Sequence, residues 1–254
     1  MTGAHPLAAI ADAPVTPDQS APDVRHPPFV FIAMAALAGA VFVLTILGRT
    51  IARGDRFAFD SAIMLAMRQD ANPALPAGPV WLRQVMIDVT ALGGETVLTL
   101  AVILTIGFLA ASRHLLAAAL VLAGTVTGSI AVALAKTLVG RERPALVDHL
   151  VEVSSASFPS GHAANSAIIY LTIALVSIQV IPHRAARWFL FGATLLLVTA
   201  IGTSRVYLGV HWPSDVLAGW SFGALWALAW WAAGSWLRLR LAGTSVPEAA
   251  RRGR

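Results

Sequence analysis

The chain of 254 residues is 57% apolar and only 12% charged, with a mean hydropathy of +0.73. This composition excludes an ordinary soluble domain, and its apolar runs of about 20 residues have the length of a helix that crosses a bilayer. No cysteine is present, which excludes disulfides and thiolate metal sites. The net charge of +5 is scattered over loops and the C-terminal end, so we expect contact with anionic lipid headgroups and no nucleic-acid partner.

The hydropathy pattern predicts an all-α polytopic bundle with six transmembrane helices in one membrane domain, residues 29–237. The spans are predicted at residues 29–47, 96–111, 115–139, 163–181, 188–203 and 216–237. Residues 1–28, rich in Ala, Pro and Asp, are expected to form a disordered tail, and residues 238–254 an Arg-rich C-terminal tail.

The long connection between the first two spans contains two short amphipathic pieces. They lie near residues 57–67 and 80–92. Such pieces favour helices that lie in the membrane interface, and an ordinary loop is the alternative.

Successive spans cross the membrane in opposite directions, which places the conspicuous polar clusters at one end of the bundle. Spans three and five end on the face where spans four and six begin. Residues 136–144, 159–162 and 204–215 occupy these junctions. Six spans therefore predict that three remote segments converge on one membrane face.

Three cations of these segments are candidates for binding an anion. Lys136 is the only lysine and lies near the end of an apolar span, where a charge is costly unless it is compensated; a snorkelling lysine is the alternative. Arg143 follows about two helical turns later, which predicts that both cations point into one pocket before Pro144 ends the helix. Arg205 is the third cation. Such a set suits a dianion, and the arginine fork matches phosphate oxygens.

Backbone and hydroxyl groups add to this anion site. Ser160 and Gly161 lead into the fourth span, where free N–H groups at a helix start bind anions. By itself this turn is a weak signal, and His162 alone is more often an interfacial histidine than a catalyst.

The second histidine changes that interpretation. Pro213 favours a helix start beside His211, and Asp215 lies one turn on, where its carboxylate can orient the imidazole. Phosphoryl transfer without a metal needs a nucleophile and a proton donor. The pattern therefore predicts His211 as nucleophile and His162 as general acid, with no metal or cofactor.

The three segments carry a family resemblance. The motifs are Lys136-x6-Arg143-Pro144, Pro159-Ser160-Gly161-His162 and Ser204-Arg205-x5-His211-x3-Asp215. They resemble the three-part signature of the type 2 phosphatidic acid phosphatase superfamily, without a departure. The resemblance implies a metal-independent phosphatase with a phosphohistidine on His211 and His162 as general acid. The superfamily also contains soluble vanadium haloperoxidases, against which the spans argue.

We therefore expect an integral membrane lipid phosphatase that acts on a phosphatidate, phosphatidylglycerol phosphate or undecaprenyl pyrophosphate type of lipid. The membrane face that is predicted to hold both chain termini carries nine arginines. The opposite face carries six basic residues once the three candidate site cations are set aside. This difference predicts a bacterial inner-membrane protein whose site faces outward. A lipid transporter or flippase with the same cationic site, and a catalytically silent relative, are the alternatives.

Three further side chains near the motifs are possible substrate-lining residues. Trp212 adjoins His211, and interfacial anchoring is its alternative role. Tyr207 and His149 are close to the motifs in sequence.

Overall fold

The computed structural model of the chain describes residues 28–55, 57–179 and 181–244, with side chains described from residue 37 to 240 within those ranges. These residues form eight α-helices and one two-stranded antiparallel hairpin. Residues 1–27 of the predicted N-terminal tail lie outside the described residues, as do residues 245–254 of the predicted C-terminal tail. In chain order the elements are α1 (Pro28–Ala52), α2 (Ala58–Ala66), β1 (Arg68–Gln69), β2 (Asn72–Pro76), α3 (Val80–Ala91), α4 (Glu95–Ala111), α5 (Leu115–Val139), α6 (Gly161–Ser177), α7 (Arg184–Tyr207) and α8 (Pro213–Thr244).

Three of these helices are long and apolar enough to cross a membrane, namely α5, α7 and α8. Helices α3 and α4 pass the same test together as a pair bent by 44°. Helix α6 and the segment Leu37–Ala52 of α1 are apolar but shorter. The described residues therefore contain three membrane-length helices, or four with the bent pair. The fold is mostly helical, as predicted, and the number of six spans stays a prediction.

Several helix ends differ from the predicted spans. Helix α7 begins at Arg184 and α8 continues to Thr244, beyond the apolar segments at 188–203 and 216–237. A hydropathy pattern marks only the part of a helix that suits lipid, and backbone hydrogen bonds continue into its polar ends. The C-terminal tail predicted from residue 238 therefore begins as helix.

Helix α6 lies at the centre of the bundle and packs against α4, α5, α7 and α8. Its closest neighbour is α8, which approaches through two glycines. A Cβ at Gly223 would lie 2.5 Å from the Cβ of Ala167, and a Cβ at Gly219 would lie 2.9 Å from the carbonyl oxygen of Ser160. These glycines therefore allow the N-terminal halves of α6 and α8 to approach closely.

The end of α5 corrects one prediction. Gly140 adopts a left-handed conformation with φ of 59°, and its N–H donates to the Lys136 carbonyl at 3.0 Å. A glycine in this conformation ends a helix. Arg143 therefore lies in the following loop, and the expectation that it shares a helix with Lys136 is wrong.

The connection between α1 and α4 folds over the same end of the bundle. Helices α2 and α3 occupy the two segments with amphipathic sequence, and α3 packs against α7. The hairpin, which the sequence did not predict, is fastened to the end of α7. Arg68 donates to the Tyr207 carbonyl at 2.8 Å, and the Tyr207 hydroxyl donates to the Ala77 carbonyl at 2.9 Å. An interfacial position for α2 and α3 stays a prediction.

Candidate active site

The candidate site is centred on a buried histidine at the start of α8. That helix begins at Pro213, as predicted, and places Asp215 in its first turn. The Nδ1 atom of His211 lies 3.5 Å from Oδ2 of Asp215, and the two side chains are only 2% and 0% exposed. On the other side of the ring, Nε2 lies 3.3 Å from Nη1 of Arg143. The imidazole therefore has one edge on a carboxylate and the other on a cation.

The surroundings of His211 favour its neutral form. Burial lowers the pKa of His211 to about 4; Asp215 opposes this shift, and the nearby charges of Arg143 and Arg205 add to it. The ring is therefore uncharged at neutral pH. Because Nδ1 faces the acceptor Asp215, the proton belongs on Nδ1 and the lone pair on Nε2, beside Arg143.

The carboxylate of Asp215 is held from several directions. Its Oδ2 atom accepts a hydrogen bond from the Ser157 hydroxyl and another, at 3.0 Å, from the backbone N–H of Trp212. Its Oδ1 atom accepts an N–H of Arg141. These donors stabilise the ionised carboxylate and fix its orientation toward His211.

Arg141 is shared between two acids. Its Nη2 donates to Asp60 of α2 at 3.0 Å, while its Nη1 also donates to the Ser214 hydroxyl at 2.8 Å. Ser214 donates to Asp60 twice, with its N–H at 2.8 Å and its hydroxyl at 2.6 Å. A hydrogen-bonded network therefore extends from α2 to the start of α8.

The three predicted phosphate-binding cations come from separate elements. Lys136 of α5 donates from Nζ to the Ala156 carbonyl at 2.7 Å. Arg143 donates from Nη1 to the Val210 carbonyl at 2.6 Å. Arg205 of α7 is buried; its Nη1 donates to the Thr90 hydroxyl of α3 at 3.1 Å, and its Nε has no partner. Each cation thus uses some of its N–H groups for hydrogen bonds within the protein.

The first turn of α6 adds further donors. Ser160 is the N-cap, but its hydroxyl makes no cap hydrogen bond and is buried without a partner. Its N–H is already used, since it donates to the Asp215 carbonyl at 3.0 Å. A Cβ at Gly161 would lie 3.3 Å from Cε of Lys136. The start of α6 therefore lies directly beside the cations, with a free buried hydroxyl.

His162 follows in the same turn. The two imidazoles are close enough that a positive charge on His211 would act on His162. A Cβ at Gly93, between α3 and α4, would lie 3.4 Å from Cδ2 of His162. Within the described residues the imidazole takes part in no hydrogen bond, so its nitrogens are available to a ligand.

The three side chains suggested as substrate-lining are placed differently. Trp212 lies beside the site; its Nε1 donates to the Glu142 carbonyl at 3.2 Å, and its ring lies 5.5 Å from the Arg141 guanidinium. The hydroxyl of Tyr207 donates to the Ala77 carbonyl directly after β2. His149 is exposed and hydrogen-bonds the Pro144 carbonyl at 2.7 Å.

Five residues of this site were not predicted from the sequence, namely Asp60, Thr90, Arg141, Ser157 and Ser214. Arg141 stands within the first motif, where a third cation beside two recognised ones was a usable signal. Asp60 is the one charged residue of α2, which is a weaker signal. Nothing local distinguishes Thr90 or Ser157, because their partners are remote in sequence.

Together these groups suit a tetrahedral dianion. Three cations, a free hydroxyl and a helix start surround a neutral imidazole whose lone pair faces the cationic side. Such a site can hold phosphate oxygens while a ring nitrogen approaches phosphorus.

Comparisons with known proteins agree with this chemistry. A family model described as PAP2 superfamily matches residues 115–238, which contain all three motifs. Phosphatidylglycerophosphatase B of Bacillus subtilis is 35% identical over 62% of this chain and 80% of its own length. An undecaprenyl-diphosphatase of Sulfolobus acidocaldarius is 38% identical over 27% of this chain and 29% of its own length.

A solved structure supports the same relationship. The crystal structure of a transmembrane PAP2-type phosphatidylglycerolphosphate phosphatase from Bacillus subtilis superimposes with a TM-score of 0.65 and 26% identity. The match covers 77% of this chain and 96% of that one. The chain is therefore a membrane-bound phosphatase of the PAP2 superfamily.

Proposed function

We propose that this protein removes phosphate from the headgroup of a membrane lipid through a covalent phosphohistidine on His211. The observation that carries the proposal is the orientation of this ring: Nδ1 lies 3.5 Å from Asp215 and Nε2 lies 3.3 Å from Arg143. A phosphate held by Arg143 would meet the nitrogen that carries the lone pair. The positive charge of Arg143 then binds the phosphate, while Nε2 of His211 stays unprotonated and can act as the nucleophile.

In the first step, the Nε2 lone pair of His211 forms a bond to phosphorus as the bond from phosphorus to the leaving oxygen breaks. The leaving oxygen takes a proton from His162 and departs as an alcohol, or as a lipid monophosphate when the substrate is a pyrophosphate. His162 must enter this step protonated, and the bound dianion favours that form. The proton on Nδ1 of His211 stays directed at Asp215, which stabilises the positive ring.

In the second step, His162 has lost its proton and acts as the base. It accepts a proton from water as the water oxygen attacks phosphorus. The bond between phosphorus and Nε2 breaks, its electrons return to His211, and inorganic phosphate is released. Lys136, Arg143 and Arg205 hold the phosphate oxygens in both steps, together with the Ser160 hydroxyl and the Gly161 N–H.

The position of the site and the names of the relatives support the proposed substrate class. The site lies at the ends of apolar helices, where a lipid headgroup is accessible while its chains stay in the membrane. The names of the relatives include a phosphomonoester lipid and a diphosphate lipid. We therefore propose a lipid phosphomonoester or pyrophosphate of the phosphatidate, phosphatidylglycerol phosphate or undecaprenyl pyrophosphate type.

The test is phosphate release by detergent-purified protein in EDTA from a panel of these three lipids. Wild type should release phosphate from at least one, and His211→Ala should release none above background. With a ³²P-labelled substrate and rapid quenching, wild type should carry label that is stable to alkali and labile to acid. His183→Ala removes an exposed histidine before α7 and is the matched control. Equal phosphate release by wild type and His211→Ala would refute the proposed role.

We further propose that the site faces the extracytoplasmic side, on the basis of the uneven arginine distribution. The chain has no cysteine, so His183→Cys provides a single label at the opposite end of the bundle. A membrane-impermeant maleimide should label this cysteine only after the membrane is permeabilised. Labelling in intact cells would reverse the orientation.

A further inference from the structure

Arg141 occupies an unusual position between two buried carboxylates. Its guanidinium donates from Nη2 to Asp60 and from Nη1 to Asp215, with side chains that are 11%, 2% and 0% exposed. Removing three charges from water is costly unless each is paired and hydrogen-bonded. The neighbouring groups meet this condition, because Ser214 hydrogen-bonds both Arg141 and Asp60.

This arrangement connects an element outside the matched family region to the reacting histidine. Asp60 belongs to α2, whereas the family model begins at residue 115. The Asp60 carboxylate accepts the N–H of Ser214, the residue immediately before Asp215. Trp212 lies over the same guanidinium. Both the position and the charge of Asp215 therefore depend on Arg141 and Asp60.

We propose that Arg141 and Asp60 are positioning residues of the phosphatase, forming a chain Asp60–Arg141–Asp215–His211 that sets the charge and orientation of the reacting ring. The inference rests on the proposed role of His211. Arg141 keeps Asp215 ionised and directed at Nδ1. Asp60 in turn compensates the charge of Arg141, so that Arg141 adds little net positive charge beside His211.

The two residues have opposite effects on protonation of His211. Without Arg141, the Asp215 carboxylate is uncompensated and stabilises the imidazolium. Without the Asp60 charge, Arg141 acts undiminished on Asp215 and His211 and disfavours the imidazolium. The charged and titratable groups that face His211 from the surrounding elements are Lys136 of α5, Arg141 and Arg143 of the loop after α5, His162 of α6, Arg205 of α7, Asp215 of α8 and, through Arg141, Asp60 of α2.

The test compares Arg141→Gln and Asp60→Asn in the purified enzyme with the lipid substrate that wild type hydrolyses best. Each variant should lower kcat about 10- to 100-fold, as expected for loss of a hydrogen bond to a charged group, with KM within about twofold of wild type. The acid limb of the pH profile of kcat/KM should move upward for Arg141→Gln and downward for Asp60→Asn. Arg141→Lys, which keeps the charge, should leave the limb near its wild-type position.

Exposed residues provide matched controls. Arg83→Gln and Asp70→Asn make the same charge changes away from the network and should leave kcat and the pH profile unchanged. Should Arg141→Gln fail to fold, judged by size exclusion in detergent, Asp60→Asn and Arg141→Lys decide the outcome by the same criteria. Acid limbs that do not move, or that move in the same direction in both neutralised variants, would show a merely structural role and overturn the proposal.

The same experiment separates this inference from the proposed function. If wild type releases phosphate and His211→Ala does not, while Asp60→Asn behaves like its control, only the positioning role is refuted. If wild type and His211→Ala behave alike, the role of His211 fails and the positioning role fails with it.

Discussion

Replacing Ser160 by alanine should reduce activity without reducing stability. Ser160 is fully buried, and its hydroxyl has no partner in the described structure although the residue is the N-cap of α6. An N-cap serine ordinarily stabilises its helix, because its hydroxyl oxygen accepts a hydrogen bond from an N–H group of the first turn. Because this hydroxyl makes no such bond, its removal takes no hydrogen bond from the fold.

The magnitude follows from what the hydroxyl would bind. A hydrogen bond to a charged group contributes about 1.5–3 kcal/mol. At about 1.4 kcal/mol for each factor of ten, Ser160→Ala should lower kcat/KM about 10- to 150-fold. Its free energy of unfolding should change by less than about 0.5 kcal/mol, or increase slightly, because an unsatisfied buried hydroxyl is lost.

The assay combines phosphate release with thermal unfolding in the same detergent. Ser166→Ala is the matched control, since Ser166 is a buried serine of the same helix whose hydroxyl donates to the Ala163 carbonyl at 3.2 Å. That variant should keep wild-type activity. Should Ser160→Ala retain kcat/KM within twofold of wild type, or lose as much stability as activity, the assignment of its hydroxyl to phosphate is refuted.

Three other predictions concern neighbouring groups. Thr90→Val removes the hydrogen bond to Arg205 and should lower kcat/KM about tenfold, whereas Thr90→Ser should restore it; equal activity of both variants would contradict the role. His211 should titrate near pH 4 in the free enzyme, so the neutral nucleophile persists in mild acid. Because this pKa lies below the unfolded value of about 6.5, the contribution of His211 to folding stability is lost as pH falls from about 6.5 toward 4. Histidine ring NMR, assigned against His211→Ala, measures the midpoint, and a midpoint at 6.5 is the opposing result. Gly223→Ala places a methyl group against α6 and should destabilise the fold by about 1–3 kcal/mol, measured by thermal unfolding; Gly192→Ala, where the added Cβ meets nothing within 4 Å, should have little effect.

The sequence predicts those features of the site that depend on local chemistry. Pro213 begins α8 because its ring suits a first helical turn, and the spacing of four residues then brings Asp215 to His211. Apolar length and span alternation predict that α5, α6, α7 and α8 place their polar ends together. The predicted position of Arg143 on α5 is wrong, because Gly140 ends that helix and Arg143 lies in the following loop.

What the tertiary structure alone decides is how the site is supported. Asp60 and Ser214 are 154 positions apart, and Arg141 and Asp60 are 81 positions apart, yet they hydrogen-bond in one network. Helix periodicity, capping and hydropathy describe interactions over a few residues and carry no information on such pairs. The sequence by itself therefore determined which residues are the candidates for binding phosphate, through motifs on helix ends. The packing of α2 and α3 over the bundle decided which buried partners hold Asp215 and Arg205 in place.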